Sequence, residues 1–131
     1  MSTIQTRTAI IALEKEGFVR ITMLEDALLD LGDMIENHNT ENKVADGKPH
    51  VVLIDTRGNS MSSDEARKFS SGDEPTRYRI AVALLFNGLA SRIGANSLIN
   101  IYQPKVPTEK FINEQDAIQW LESMYNKAQK K

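Results

Sequence analysis

Cysteine is absent from this 131-residue chain. That excludes disulfides, thiolate nucleophiles and cysteine-ligated metals, and it agrees with a reducing compartment such as the cytoplasm. Long hydrophobic runs are also missing: nothing approaches the ~20 apolar residues that cross a bilayer. The opening Met1-Ser2-Thr3-Ile4-Gln5 lacks the basic region and apolar run of a secretory signal, so a cytoplasmic protein without membrane insertion is expected. There is no excess of positive charge. Sixteen Lys and Arg stand against eighteen Asp and Glu, scattered along the chain, for a net charge of −2. No electrostatic footprint for nucleic acid follows from that distribution. The two histidines, His38 and His50, show no metal-ligand spacing and read as incidental, and no cofactor is expected. The glycines form no phosphate-cradling loop, and no nucleophile elbow is present. What remains is 40% apolar and 26% charged, an ordinary composition, and residues 1–131 read as one domain with a real core.

The chain pivots on Val51-Val52-Leu53-Ile54-Asp55 followed by Thr56-Arg57-Gly58-Asn59-Ser60. A strand apolar on both faces belongs in the middle of a sheet, covered by helices on both sides. In an open α/β sheet, the turn leaving the carboxyl end of such a strand is where sites are built.

The other elements follow from local pattern. Thr8 to Leu13 and Phe18 to Ile21 predict a hairpin, turned at Glu14-Lys15-Glu16-Gly17. Thr22 with Glu25 is a capping-box spacing, and Leu24, Leu28, Leu31 and Ile35 then recur as one helical stripe. Asn37 to Lys48 is polar without a period and reads as a loop. Ser62 with Glu65 repeats the capping box and starts a short helix with Ala66 and Phe69 inward. Ile80 to Phe86 predicts a second buried strand, broken at Asn87-Gly88. Leu89 to Tyr102 fits a helix weakened by Gly94, Asn96 and Asn100. Thr108 to Ile112 predicts an edge strand. Asn113 then caps a last helix with Ile118, Leu121, Met124 and Tyr125 inward. The expected fold is α/β, in the order β-β-α-β-α-β-α-β-α. Its mixed, mostly parallel sheet has one antiparallel strand and flanking helices.

Several residues carry candidate chemistry. Asp55 can face a ligand or accept phosphate at the strand exit, or it can simply accept amides of the Arg57–Asn59 turn and pair with an arginine. The strand superficially resembles the phosphoacceptor strand of receiver domains. Those carry an acidic pair after their first strand, however, and here Glu14 and Glu16 fall in a hairpin turn. Ser60, Ser62 and Ser63, before Asp64, stand where a helix start can be phosphorylated, or where Ser62 merely caps. Arg57, Arg67, Arg77, Arg79 and Arg92 can form an anion site or pair with Asp64, Glu65, Asp73 and Glu74.

Longer stretches carry a family resemblance. They are Leu53-Ile54-Asp55-Thr56-Arg57-Gly58, Ser62 with Glu65-Ala66-Arg67, Ala81-Val82-Ala83-Leu84-Leu85, and Ser91-Arg92-Ile93-Gly94-Asn96. Pro104-Lys105-Val106-Pro107-Thr108, Phe111, Glu114 with Asp116-Ala117, and Trp120-Leu121 complete the set. Over this carboxyl-terminal two thirds the chain resembles uncharacterised bacterial STAS-like proteins, related in fold to anti-sigma-factor antagonists. The resemblance implies the same element order, and a fold more than a function; a non-enzymatic regulatory module is the first expectation. In that family type a phosphorylatable serine opens the helix after the central strand. Asp64 falls near that place here, with Ser62 and Ser63 just before it. The expected function is docking of a regulatory protein partner through Gly58 to Glu65 and the helix 89–102, with a homodimer compatible with the fold. Asp55, Arg57, Gly58, Ser62, Ser63, Asp64 and Arg92 are the candidate binding residues. The alternative is a small-molecule or lipid binder with a pocket under helix 89–102. A third expectation is an enzyme with Asp55 as phosphoacceptor.

Overall fold

In a computed structural model of the chain, residues 2–88 and 105–130 are described. The predicted helix 89–102, and Arg92 with it, lies outside them. Six strands form the main sheet in the order β1-β2-β3-β5-β7-β8: β1 (Thr3–Gln5), β2 (Ala9–Lys15), β3 (Phe18–Met23), β5 (His50–Asp55), β7 (Arg79–Leu85) and β8 (Thr108–Phe111). A separate two-stranded ribbon pairs β4 (Leu28–Leu29) with β6 (Met61–Ser62). The helices are α1 (Leu31–Val44), α2 (Asp64–Ser70), α3 (Asp73–Thr76) and α4 (Glu114–Gln129).

The pivotal strand occupies the centre, as the uninterrupted apolar run requires. β5 pairs in parallel with β3 on one side and β7 on the other. Its residues alternate between two cores. Val52 joins Ile11, Val19, Ile21 and Val44 on the α1 side. Val51 and Leu53 join Phe18, Ala83, Leu85 and Leu121 on the α4 side. A strand with both faces covered cannot tolerate polar alternation, which is why it reads as a continuous run.

The antiparallel part is larger than the pattern indicated. β2 pairs antiparallel with β3, and β1 adds a second antiparallel edge through Thr3 opposite Ala12. A three-residue edge strand carries too little alternation to be read locally. In the β2–β3 turn Gly17 takes φ +78 and lies directly against Tyr125 of α4, so this turn needs both its left-handed backbone and its missing Cβ.

The first helix departs most from expectation. Thr22 and Met23 still belong to β3, and the chain then turns through Asp26, at φ +57, before the β4 ribbon. The helix begins at Leu31. Asp30 is its cap, accepting from the Asp33 amide at 2.9 Å while the Asp33 carboxylate accepts from the Asp30 amide at 3.0 Å. It continues through Asn37 to Val44, across the stretch that reads as a loop. The predicted Leu24–Ile35 stripe is not a helix face: Leu28 lies on the ribbon, largely exposed. Instead α1 buries Asp33, Asn37, His38 and Glu41, a polar face that no apolar periodicity can reveal.

Helix α2 also starts one residue later than the spacing implied. Ser62 is the last residue of β6, and Ser63 caps, its Oγ accepting from the Ala66 amide at 3.1 Å. Ala66 faces inward as expected. β8 lies at the sheet edge, parallel to β7, and Asn113 caps α4 by accepting from the Asp116 amide. Among the described residues no helix is long and apolar enough to cross a membrane.

Candidate functional site

Two places at the ends of the parallel strands hold polar side chains that the fold brings together. At the exit of β5, Asp55 is almost fully enclosed. Its Oδ1 accepts from the Arg57 amide and from Arg57 Nε, both at 3.0 Å, and Oδ2 accepts from Arg57 Nη2 at 2.7 Å. Burial pushes this carboxyl up. The guanidinium and amide of Arg57, with Arg20 Nη1 at 3.8 Å, outweigh that and hold it below the usual aspartate range. Glu114, in the first turn of α4, ties the cluster together by accepting from Arg57 at 3.0 Å and Arg20 at 2.9 Å. Asp55 therefore answers to the second of its readings, an acid satisfied by its own turn and by arginine. Of the other arginines, Arg67 pairs with Asp64, and Arg77 pairs with Glu74 at 2.9 Å. Arg79 is buried and paired with Glu41, and Arg92 is outside the described residues.

The exit turn runs into the β4–β6 ribbon. The Asp26 amide donates to the Gly58 carbonyl at 2.8 Å, and a Cβ on Gly58 would stand 3.1 Å from the Glu25 backbone, so the two loops touch at a glycine. The Met61 and Ser63 amides then donate to the Ala27 and Leu29 carbonyls. In this register Leu28 stands opposite Met61, and the two side chains are 67% and 66% exposed. Arg67 Nη1 donates to the Ser62 carbonyl at 2.7 Å. The ribbon thus presents an apolar rung immediately beside Ser62, Ser63 and Asp64, a neighbourhood set by backbone pairing across 33 residues and invisible locally.

The second place is the polar face of α1. Asn37 accepts from Thr6 Oγ1 at 2.6 Å and donates to Thr8 Oγ1 at 2.9 Å, and Asp33 accepts from Arg7. These bonds anchor the helix to the β1–β2 connection. One turn on, Glu41 is fully buried and accepts from Arg79 Nε at 2.9 Å and Nη2 at 2.6 Å. His50 Nε2 lies 2.7 Å from Glu41 Oε2, the oxygen that also accepts from Arg79 Nε, and His50 Nδ1 lies 2.8 Å from the Lys48 carbonyl. Burial pushes the Glu41 carboxyl up, but Arg79 and the His50 hydrogen bond more than reverse this and leave it an anion. His38 is buried beside it. Desolvation first, and the Arg79 charge second, lower its pKa to about 3 against the weaker pull of Glu41 and the Pro75 carbonyl, so the ring is neutral. The two histidines are not incidental: both are inside, one of them in a buried ion network. The sequence signal was the spacing Asp33–Asn37–Glu41, a polar stripe with helical period, paired with Arg79 at the start of an otherwise apolar strand.

Above this network lies a cavity of about 510 Å³. Met34, His38 and Glu41 of α1, Ile54 of β5, Leu84 of β7 and Ser70 of α2 are among its walls. His38 Nε2 lies 3.1 Å from Ser70 Oγ, while His38 Nδ1 is buried without a hydrogen-bond partner, 3.8 Å from Glu41 Oε1. Among the described residues no cluster of three or more His, Asp or Glu is arranged to hold a metal ion.

Comparison with known proteins matches residues 11–125 to a family described as Domain of unknown function (DUF7793). Among solved structures, the chain is similar to an uncharacterised DUF3478-family protein with a SpoIIAA-like fold from Shewanella loihica PV-4. The TM-score is 0.65 at 18% identity, covering 92% of this chain and 98% of that one. At that identity the likeness establishes the fold, which is STAS-like, and not the activity. No curated protein is significantly similar to the chain.

Proposed function

Because the chain belongs to the DUF7793 family and carries a SpoIIAA-like fold, we propose that it is a non-enzymatic regulatory module that docks a protein partner through the β4–β6 ribbon and the start of α2. The observation that carries this is the Leu28–Met61 rung: two large apolar side chains, side by side and two-thirds exposed, next to the Ser63 cap. Exposed apolar pairs framed by polar residues are the usual centre of a transient interface. The docking surface includes Gly58, Ser62, Ser63 and Asp64. Asp55 and Arg57 serve it indirectly, by holding the turn that delivers Met61.

A catalytic reading of Asp55 is disfavoured because both its oxygens are occupied by Arg57. Phosphate on Ser63 would set nearly two negative charges beside Asp64 and Glu65, ejecting an acidic partner.

Photo-crosslinking in the native host tests the proposal, with a benzophenone side chain placed at 28, at 61, or at the control position 127 on α4. Discrete adducts with another protein at 28 and 61, absent at 127, are expected. Equal labelling at all three positions overturns it.

A further inference from the structure

We infer that the partner of the β4–β6 ribbon is a basic segment of another protein, in which large apolar side chains are flanked by Lys or Arg. The inference rests on the docking reading above and names the chemistry of the occupant.

The apolar centre is the Leu28–Met61 rung, and charge decides what can cover it. Residues 24–33 and 58–66, the ribbon with its flanks, contain six acids, Glu25, Asp26, Asp30, Asp33, Asp64 and Glu65, and no Lys, Arg or His. Backbone pairing sets them around the rung. The Met61 amide donates to the Ala27 carbonyl at 2.9 Å, so Glu25 and Asp26 stand toward one end. The Ser63 amide donates to the Leu29 carbonyl at 3.0 Å, so Asp30, Asp64 and Glu65 stand toward the other.

Two arginines reach the ribbon from outside and donate to its carbonyls, Arg7 to Leu28 and Arg67 to Ser62. Each is also held by an acid, Arg7 by Asp33 and Arg67 by Asp64. Arg57, next to Gly58, is turned to Asp55 and Glu114. Six acids less two arginines leave −4 at this surface, and −3 if the exposed Lys68 of α2 is counted, against −2 for the whole chain. Glu25, Asp26 and Glu65 are exposed and make no ion pair among the described residues.

An apolar rung between uncompensated carboxylates repels an acidic occupant, and repels nucleic acid and anionic lipid for the same reason. A segment with Lys or Arg beside its apolar residues meets the carboxylates at a solvated rim while covering the rung. Phosphate on Ser63 would tighten the hold on such a partner, the reverse of its effect on an acidic one.

Random dodecapeptides displayed on phage are the probe, selected at low salt on the purified chain. Counter-selection uses Leu28→Ser/Met61→Ser, two changes at exposed positions. The enriched sequences are expected to combine Leu, Ile, Phe or Met with Lys or Arg. A synthetic peptide of enriched sequence should bind about tenfold more weakly to Glu25→Gln/Asp26→Asn/Glu65→Gln, and the loss should shrink as salt is raised. Asparagine suits the left-handed backbone at position 26. Glu16→Gln/Asp46→Asn/Glu109→Gln removes the same charge in the β2–β3 turn, after α1 and on β8, and should bind within about twofold of wild type. Enrichment of acidic or uncharged sequences, a selection with no dependence on the rung, or an affinity indifferent to the three rim charges overturns the inference. Adducts at 28 and 61 in the native host would then leave the docking reading standing without a basic partner, whereas their absence would remove docking itself.

Discussion

Arg79→Met removes two of the hydrogen bonds that hold the Glu41 carboxylate and leaves it only His50, in a fully buried site. Breaking a buried ion pair from one side costs about 3–5 kcal/mol, because the surviving charge is stranded. Here the loss has a ceiling. From its ordinary pKa of 4.5, Glu41 can escape by taking a proton, which at pH 7 costs 2.5 units at 1.36 kcal/mol each, or about 3.4 kcal/mol. The expected destabilisation at pH 7 is therefore ~3 kcal/mol, read from urea unfolding with the m-value unchanged. A second signature follows. In the variant the folded-state pKa of Glu41 lies above its unfolded value, so protonation favours the folded chain. That contribution is complete below 4.5 and lost as pH rises through the folded value. The gap to wild type should then narrow by up to ~1.4 kcal/mol per unit as pH falls from 7 toward 5. Adding Glu41→Gln keeps a partner for His50, removes the stranded charge, and should recover at least half of the loss. A cost below ~1 kcal/mol at pH 7, a gap that does not narrow in acid, or additivity of the two substitutions would refute this account of the network.

The turn at Gly17 offers a second test: a Cβ there would collide with the Tyr125 ring, at a φ of +78, so Gly17→Ala should cost roughly 2–3 kcal/mol in urea unfolding. Tyr125→Leu in that background should recover part of it; no recovery would place the strain elsewhere. For His38 the folded pKa of about 3 lies below the unfolded 6.5, so protons go first to the unfolded chain. Stability should fall as pH drops from 6.5 toward 3, by ~2 kcal/mol at pH 5. His38→Phe should flatten that slope, and a slope unaltered by the substitution would be the contrary result. Ser63→Ala should cost about 1 kcal/mol through the lost cap, and Ser62→Ala less than about 0.5 kcal/mol. Equal losses at the two positions would contradict the observed start of α2.

Legibility varied with the kind of signal. β5, β7 and α4 were readable because each carries its own: a two-sided apolar run, or an Asn113 cap before an apolar stripe. Thr22 with Glu25, and Ser62 with Glu65, matched a cap spacing that also occurs by chance. In both cases the real cap, Asp30 or Ser63, lies where strand pairing releases the chain. Of the candidate site, Asp55 was placed correctly, with its partners already present in its own turn. The ribbon that sets Met61 against Leu28 was not legible, because pairing partners in a two-residue strand are chosen by the rest of the fold.

By itself the sequence determined the middle of the sheet, since four apolar residues in succession, Val51 to Ile54, can be buried only between two helix layers. For Asp55 it offered two readings, and the structure meets the acid with Arg57 of its own turn. Only the tertiary structure decided the inside of α1. A helix that buries Asn37, His38 and Glu41 has no apolar period to read. Those side chains became buriable because Thr6, Thr8, His50 and Arg79, distant along the chain, arrive to satisfy them.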